Sequence, residues 1–189
     1  MPEHGRTKER ILETAVRLFY AHGPRGVGVD TVIAEAGTCK ATLYKYFPRK
    51  DDLVLAYLDA VDRDWFARLR SAARAAGGDP RGQLVGLFDA LTEAAGRGDH
   101  HGCAFINAAA EADPAGEVHA RGVEHKRVVA AWITDIARRA HAADPERLAR
   151  QLGVLIDGTL SAGVLHAEPA IALAAKDAAR VLVDAACGD

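Results

Sequence analysis

The sequence has few reactive groups and no membrane span. Its three cysteines, Cys39, Cys103 and Cys187, are too scattered for a disulfide framework or a CxxC-type zinc site. Free thiols in a reducing cytoplasm are the expectation. No run of about 18 apolar residues occurs, so no membrane helix is expected. The opening MPEHGRTKER has no apolar h-region, so no secretory signal is expected either. Strand-type alternation is never sustained, and no internal repeat appears. Nucleophile elbows, phosphate loops, HExxH and paired carboxylates at fixed spacing are all missing, so neither an enzyme nor a cofactor is expected. His100, His101 and Cys103, with His119 or His125, have metal-ligand chemistry but no regular ligand spacing, and no metal site is expected. Asp157 and His166 are read as structural.

What is present describes a globular, helical chain. Hydrophobic residues make up 49% and charged residues 26%, enough to build a core and too apolar for disorder. At 189 residues the chain fits one large domain or a small one fused to a larger one. The charge is uneven. Residues 1–50 hold nine basic and five acidic side chains, a net +4, and the remainder carries −6. A basic head on an acidic body points to one localised polyanion contact.

Helical periodicity fills the sequence. Between about Thr7 and His22, the residues Ile11, Ala15, Leu18 and Phe19 form one apolar stripe, ended by Gly23-Pro24. A short second helix follows Val29, Gly37 makes a turn, and a third helix runs from about Lys40 to Phe47. A fourth starts near Lys50-Asp51-Asp52 and fades at Gly77-Gly78. Beyond it, Asp79-Pro80, Asp113-Pro114, Asp144-Pro145 and, more weakly, Glu168-Pro169 pair an N-cap acid with a proline at the first helical position. They predict helices over about 80–95, 114–141, 145–166 and 169–186, with a shorter one over 103–112. The expected fold is all-α with about nine helices: a three-helix head and a larger helical bundle that dimerises. The expected division is 1–50 for the head and 51–189 for the body.

The stretch Gly28–Phe47, GVDTVIAEAGTCKATLYKYF, is the size of a helix-turn-helix. Its second helix carries Lys40, Thr42, Tyr44, Lys45 and Tyr46, side chains suited to base edges and phosphates. With the preceding helix ERILETAVRLFYAHG and the following FPRKDDL, it resembles the TetR/AcrR family of bacterial transcriptional regulators over about residues 5–65. The resemblance implies a homodimer on palindromic operator DNA, with a body that binds a small effector and a head that represses until the effector arrives. It also implies that Lys40, Ala41, Thr42 and Tyr44 meet bases or nearby phosphates and that Tyr46 and Lys50 hold the backbone. Thr31, Thr38 and Lys45 complete the expected DNA-binding set. Two features depart from the family pattern: Thr38-Cys39 stands where Val-Ser is common, and Ala41 where Gly is. Cysteine caps a helix poorly, and capping by Thr38 would shift the helix start by one residue. A thiol beside DNA also raises a redox switch as an alternative to a small filler residue.

In the body, GCAFINAAAE from Gly102 to Glu111 resembles a segment near the effector cavity in one branch of the family. The expected effector-binding set is Trp65, Phe66, Leu69, Phe88, Cys103, Phe105, Ile106, Asn107, Glu111, His125 and Trp132, mainly apolar with a few polar groups. A plain core is the alternative for each. The last two helices read as a dimer interface formed by Leu148, Leu152, Leu155, Ile156, Thr159, Gly163, Ile171, Ala175, Ala178, Val181 and Leu182, with packing inside the chain as the alternative. The competing function is a small-molecule-binding or scaffold protein with a non-functional head.

Overall fold

A computed structural model describes residues 3–96, 101–165 and 168–188. The described residues form nine α-helices and no strand: α1 (Glu3–His22), α2 (Val29–Glu35), α3 (Lys40–Tyr46), α4 (Lys50–Ala75), α5 (Pro80–Ala95), α6 (Ala104–Glu111), α7 (Glu117–Arg139), α8 (Pro145–Leu165) and α9 (Pro169–Cys187). The all-α class and the helix-turn-helix head agree with the sequence reading. α1 begins at Glu3, ahead of the expected Thr7.

The acid–proline pairs do three different things. Asp79 accepts from the Arg81 and Gly82 amides at 3.2 and 3.1 Å, and Asp144 accepts from the Arg147 amide at 2.9 Å. Both are working N-caps. Glu168 precedes α9 without a side-chain cap. Asp113-Pro114 was expected to start a helix but closes a turn instead. The Asp113 carboxylate accepts from the Ala115 amide at 3.0 Å, its carbonyl accepts from Gly116 at 2.8 Å, and α7 starts only at Glu117. Asp at i, Pro at i+1 and Gly at i+3 is also the signature of a type I turn, and here the turn won.

The chain divides into two compact units, one of Met1–Arg63 with Ala104–Glu124 and one of Asp64–Cys103 with His125–Asp189. The first holds α1 to α3, α6 and the opening turns of α4. Its core is built on Ile11, Phe19, Val32, Leu43, Leu53 and Tyr57, all buried, with the Phe19 and Tyr57 rings edge to face at 5.7 Å. In the second unit α5 packs on α9 and α8, and α8 on α9. Its buried core includes Leu84, Leu87, Phe88, Ile133, Leu148, Leu152, Ala179 and Val183. Ala90, Ala94, Ala149, Ala172 and Ala179 are buried in this unit, and small side chains let helices approach closely.

Candidate nucleic-acid interface

The third helix has two faces set by its spacing. Leu43 and Phe47, one turn apart, are buried at 0% and 3% exposure. Lys40, Ala41, Tyr44 and Lys45 are exposed, and Thr42 and Tyr46 are half-buried. The apolar pair anchors the helix and turns its polar row outward.

The turn before α3 is held by backbone geometry. Gly37 has φ +57°, a left-handed conformation that favours glycine. The Thr38 amide donates to the Ile33 carbonyl at 3.1 Å and the Gly37 amide to Ala34 at 3.2 Å, which closes α2 with a Schellman motif. From α1, the Arg10 Nε donates to the Ala36 carbonyl at 2.8 Å, and Arg17 pairs with Glu35. These contacts fix the angle at which α3 leaves the turn.

Cys39, and not Thr38, occupies the N-cap, with extended φ −117° and ψ 162°, so α3 starts at Lys40 with no shift of register. Its side chain makes no capping hydrogen bond. It lies 3.2 Å from the Thr42 hydroxyl, and that hydrogen bond lowers the pKa of this exposed thiol. Cys103 is buried, and burial raises the pKa of Cys187.

The cations around α3 differ in how they are neutralised. Lys40 lies 3.9 Å from Asp30, both well exposed. Lys45 sits over the Tyr46 ring at 5.8 Å and Lys8 over Phe47 at 5.7 Å. Lys50 is the first residue of α4, where free amides favour an anion, and it is half-buried with no carboxylate paired to it among the described residues. Arg49, just before it, is held by Asp52 and Glu117 at 2.7 and 2.8 Å, which raises its pKa further above the ordinary guanidinium range. Thr31, at the start of α2, and Thr38, at the turn, are exposed and half-buried. The whole expected DNA-binding set thus lies on α2, α3, the turn between them and the start of α4.

The expected effector-binding residues do not gather in one unit. Phe105, Ile106, Asn107 and Glu111 belong to the first; Trp65, Phe66, Leu69, Phe88, Cys103, His125 and Trp132 belong to the second. Ile106 and Asn107 are exposed. The Glu111 carboxylate serves the head: it accepts from the Arg25 amide at 2.7 Å and fills the space beside Gly23. The positive φ of Gly23, +74°, favours glycine here, and a Cβ would stand 2.3 Å from Glu111 Oε1 and push that carboxylate aside. In the second unit, Phe66 and Trp132 pack at 5.3 Å, with the Arg70 guanidinium over Phe66 at 4.6 Å. Leu69, Phe88, Cys103 and His125 are buried. A cavity lined by Leu91, Ala95, Thr159, Leu160, Gly163, Glu168, Ile171 and Ala172 lies elsewhere in that unit and has room for about one water molecule.

On α8, Leu148, Leu152, Ile156 and Thr159 are buried within the chain itself, and Leu155 and Gly163 are half-buried. On α9, Ile171, Ala175, Ala178 and Leu182 are half-buried and Val181 is exposed. The large apolar side chains left in solvent are Val154, Val164 and Leu165 on α8 and Leu173 and Val181 on α9. Asp157 is ion-paired to Lys126.

His100 and His166 lie outside the described residues. His101 is exposed, and the Nδ1 of His119 is buried without a hydrogen-bond partner. Among the described residues no three His, Cys, Asp or Glu converge as metal ligands, and no helix is long and apolar enough to cross a membrane. The sequence reading missed Arg49, Glu117 and Arg121 as supports of the head. The i,i+3 spacing of Arg49 and Asp52 is a legible local pair. The partners of Glu117 and Arg121 are far away in sequence and leave no such signal.

Residues 11–57 match the family described as bacterial regulatory proteins, tetR family. The HTH-type transcriptional repressor DrrR1 of Streptomyces coeruleorubidus is 34% identical over 84 residues, 39% of this chain and 31% of that protein. The HTH-type transcriptional repressor SCO4008 of Streptomyces coelicolor is 40% identical over 53 residues, 28% of each chain. The chain therefore aligns with less than a third of the length of these two curated relatives. The crystal structure of SCO4454, a TetR-family transcriptional regulator from Streptomyces coelicolor, superposes with a TM-score of 0.90 at 33% identity, covering 97% of both chains. With head and body aligned together at that identity, the chain belongs to the TetR family of transcriptional regulators.

Proposed function

We propose that the protein is a homodimeric, sequence-specific DNA-binding repressor, released from its operator by a small-molecule effector. One observation carries the reading. A short helix anchored by Leu43 and Phe47 presents Lys40, Ala41, Thr42, Tyr44 and Lys45 beside the free helix N-terminus at Lys50. Such a helix fits the major groove: Thr and Lys reach base edges, and Tyr44, Tyr46 and Lys50 reach phosphates. Thr31 and Thr38 flank this surface. The DNA-binding part is residues 1–50, extended to about 65, and the effector-binding and dimerising part is 51–189. Two relatives named as repressors support the repressor sign.

The test is a selection of duplexes from a random library, followed by titration at several salt concentrations. A palindrome should emerge, with half-sites about one helical turn apart or a multiple of it. The log–log slope of affinity against salt should fall by about 0.9 for each phosphate neutralised. Recovery of no sequence, or a flat salt response, rejects the head as a DNA reader and leaves a body-only binding protein.

Two copies are required because a palindrome needs two linked heads. The interface proposed for the last two helices is best supported on the outward face of α8 and α9. Val154, Gly158, Ser161 and Leu165 recur at helical spacing on α8, and Leu173 and Val181 are exposed on α9. Leu148, Leu152, Ile156 and Thr159 already serve the chain's own core, so they would act as its backing. Val181→Arg combined with Val154→Arg should convert a dimer to a monomer in light scattering; a dimer that withstands both charges places the interface elsewhere.

The effector in this reading is a small and largely apolar molecule. The second unit contributes Trp65, Phe66, Leu69, Phe88, Cys103, His125 and Trp132 to this reading. An effector that favours the released geometry by about 1–3 kcal/mol lowers operator affinity some 5- to 150-fold.

A further inference from the structure

We propose that Glu117, the first residue of α7, competes with DNA phosphate for the Arg49 guanidinium and so sets DNA affinity from outside the helix-turn-helix. The inference rests on the reading of the head as a DNA reader.

Arg49 adjoins Lys50 at the start of α4. Its amide donates to the Asp52 carboxylate at 2.8 Å, as the reciprocal half of a capping box does. Its guanidinium donates to Asp52 Oδ1 at 2.7 Å and to Glu117 Oε2 at 2.8 Å. Asp52 is explained by the helix start it supports. Glu117, 68 residues further along the chain, is not. It gives one cation a second anion, so the cluster beside Lys50 is net negative where a phosphate is expected to dock.

The contact can exchange. The Arg49 and Glu117 side chains are 60% and 65% exposed, and a pair this open to water is held weakly. A phosphate offers the same guanidinium a comparable or better bidentate partner. What keeps Glu117 in place is a firmer joint one turn along α7. Arg121, on the same helical face, donates to Asp59 at 2.8 Å and to Asp62 at 2.6 Å, is only 20% exposed, and lies 5.5 Å from the Phe105 ring. Glu117 is thus an anion tethered through its own helix beside an exposed cation that can turn to another partner. All of these residues belong to the first unit.

The experiment uses the full-length protein, fluorescence anisotropy, the selected operator and a scrambled duplex of equal length. Wild type is compared with Glu117→Gln, Glu117→Ala, Arg49→Gln and the Arg49→Gln/Glu117→Gln double variant. Neutralising Glu117 should tighten binding to both duplexes about 5- to 25-fold, from one exposed charge pair in each of two heads. It should also steepen the salt slope by up to about 1.8, about 0.9 for each freed guanidinium. In the Arg49→Gln background the gain should shrink to less than about twofold, the additivity test for a direct pair. Unchanged or weaker binding by both neutral variants overturns the proposal. So does an equal gain without Arg49, which would mean general repulsion of DNA by Glu117. Wild type that binds no duplex removes the DNA-reading premise instead, a separate result.

Discussion

Replacing Lys50 with alanine is expected to weaken operator binding about a hundredfold and to leave folding stability within about 0.5 kcal/mol. Lys50 is half-buried at the first position of α4 and has no carboxylate paired to it among the described residues, so its charge does little for the fold. The first amides of α4 have no intrahelical acceptor, and together with a positive charge at that residue they favour a phosphate. A hydrogen bond to a charged group contributes about 1.5 kcal/mol, roughly tenfold for one head and a hundredfold for two. The salt slope should become shallower by about 1.8, one phosphate per head. Anisotropy titrations from low to moderate salt measure both quantities. Affinity within about threefold of wild type would remove Lys50 from the contact set.

The second large effect is on stability. Leu43→Ala should cost about 3 kcal/mol and abolish operator binding, although every exposed side chain of α3 is left intact. α3 has seven residues, and Leu43 is its one fully buried side chain, at 0% exposure. A helix that short does not persist by itself, so its existence depends on what Leu43 and the following Phe47 bury. Leu43→Met keeps the volume and should cost less than about 1.5 kcal/mol with binding retained. Urea unfolding and DNA titration of both variants test the argument together. Operator binding by Leu43→Ala at wild-type affinity would show that α3 is anchored otherwise.

The head was largely readable because its determinants are local. The Ile11, Ala15, Leu18 and Phe19 stripe and the Leu43 and Phe47 pair are set within a few residues, as are the Asp79 and Asp144 caps of the body, and there helix geometry decides the outcome. Cys39 shows the limit of such reading. Its weak capping chemistry suggested a shifted start, yet the Schellman turn at Gly37 and the burial of Leu43 fix the helix at Lys40 without a side-chain cap. Asp113-Pro114 shows another, since one dipeptide serves a cap and a turn equally well.

Local pattern was enough for the helical class and the two faces of α3, because each follows from a period of 3.6 and from side-chain chemistry. Packing in three dimensions selects the apolar stripe of α8 that its own chain covers. Leu148, Leu152, Ile156 and Thr159 are buried, while Val154, Val164 and Leu165 stay in solvent. Spacing marks both sets as helical and cannot say what packs on each. The tertiary structure alone also brought residues 104–124 back to the head, where Glu111 meets Arg25 and Glu117 meets Arg49. Those pairs join residues 86 and 68 positions apart, and a contact at that separation is created by the packing of α6 and α7, not by any pattern that neighbouring residues carry.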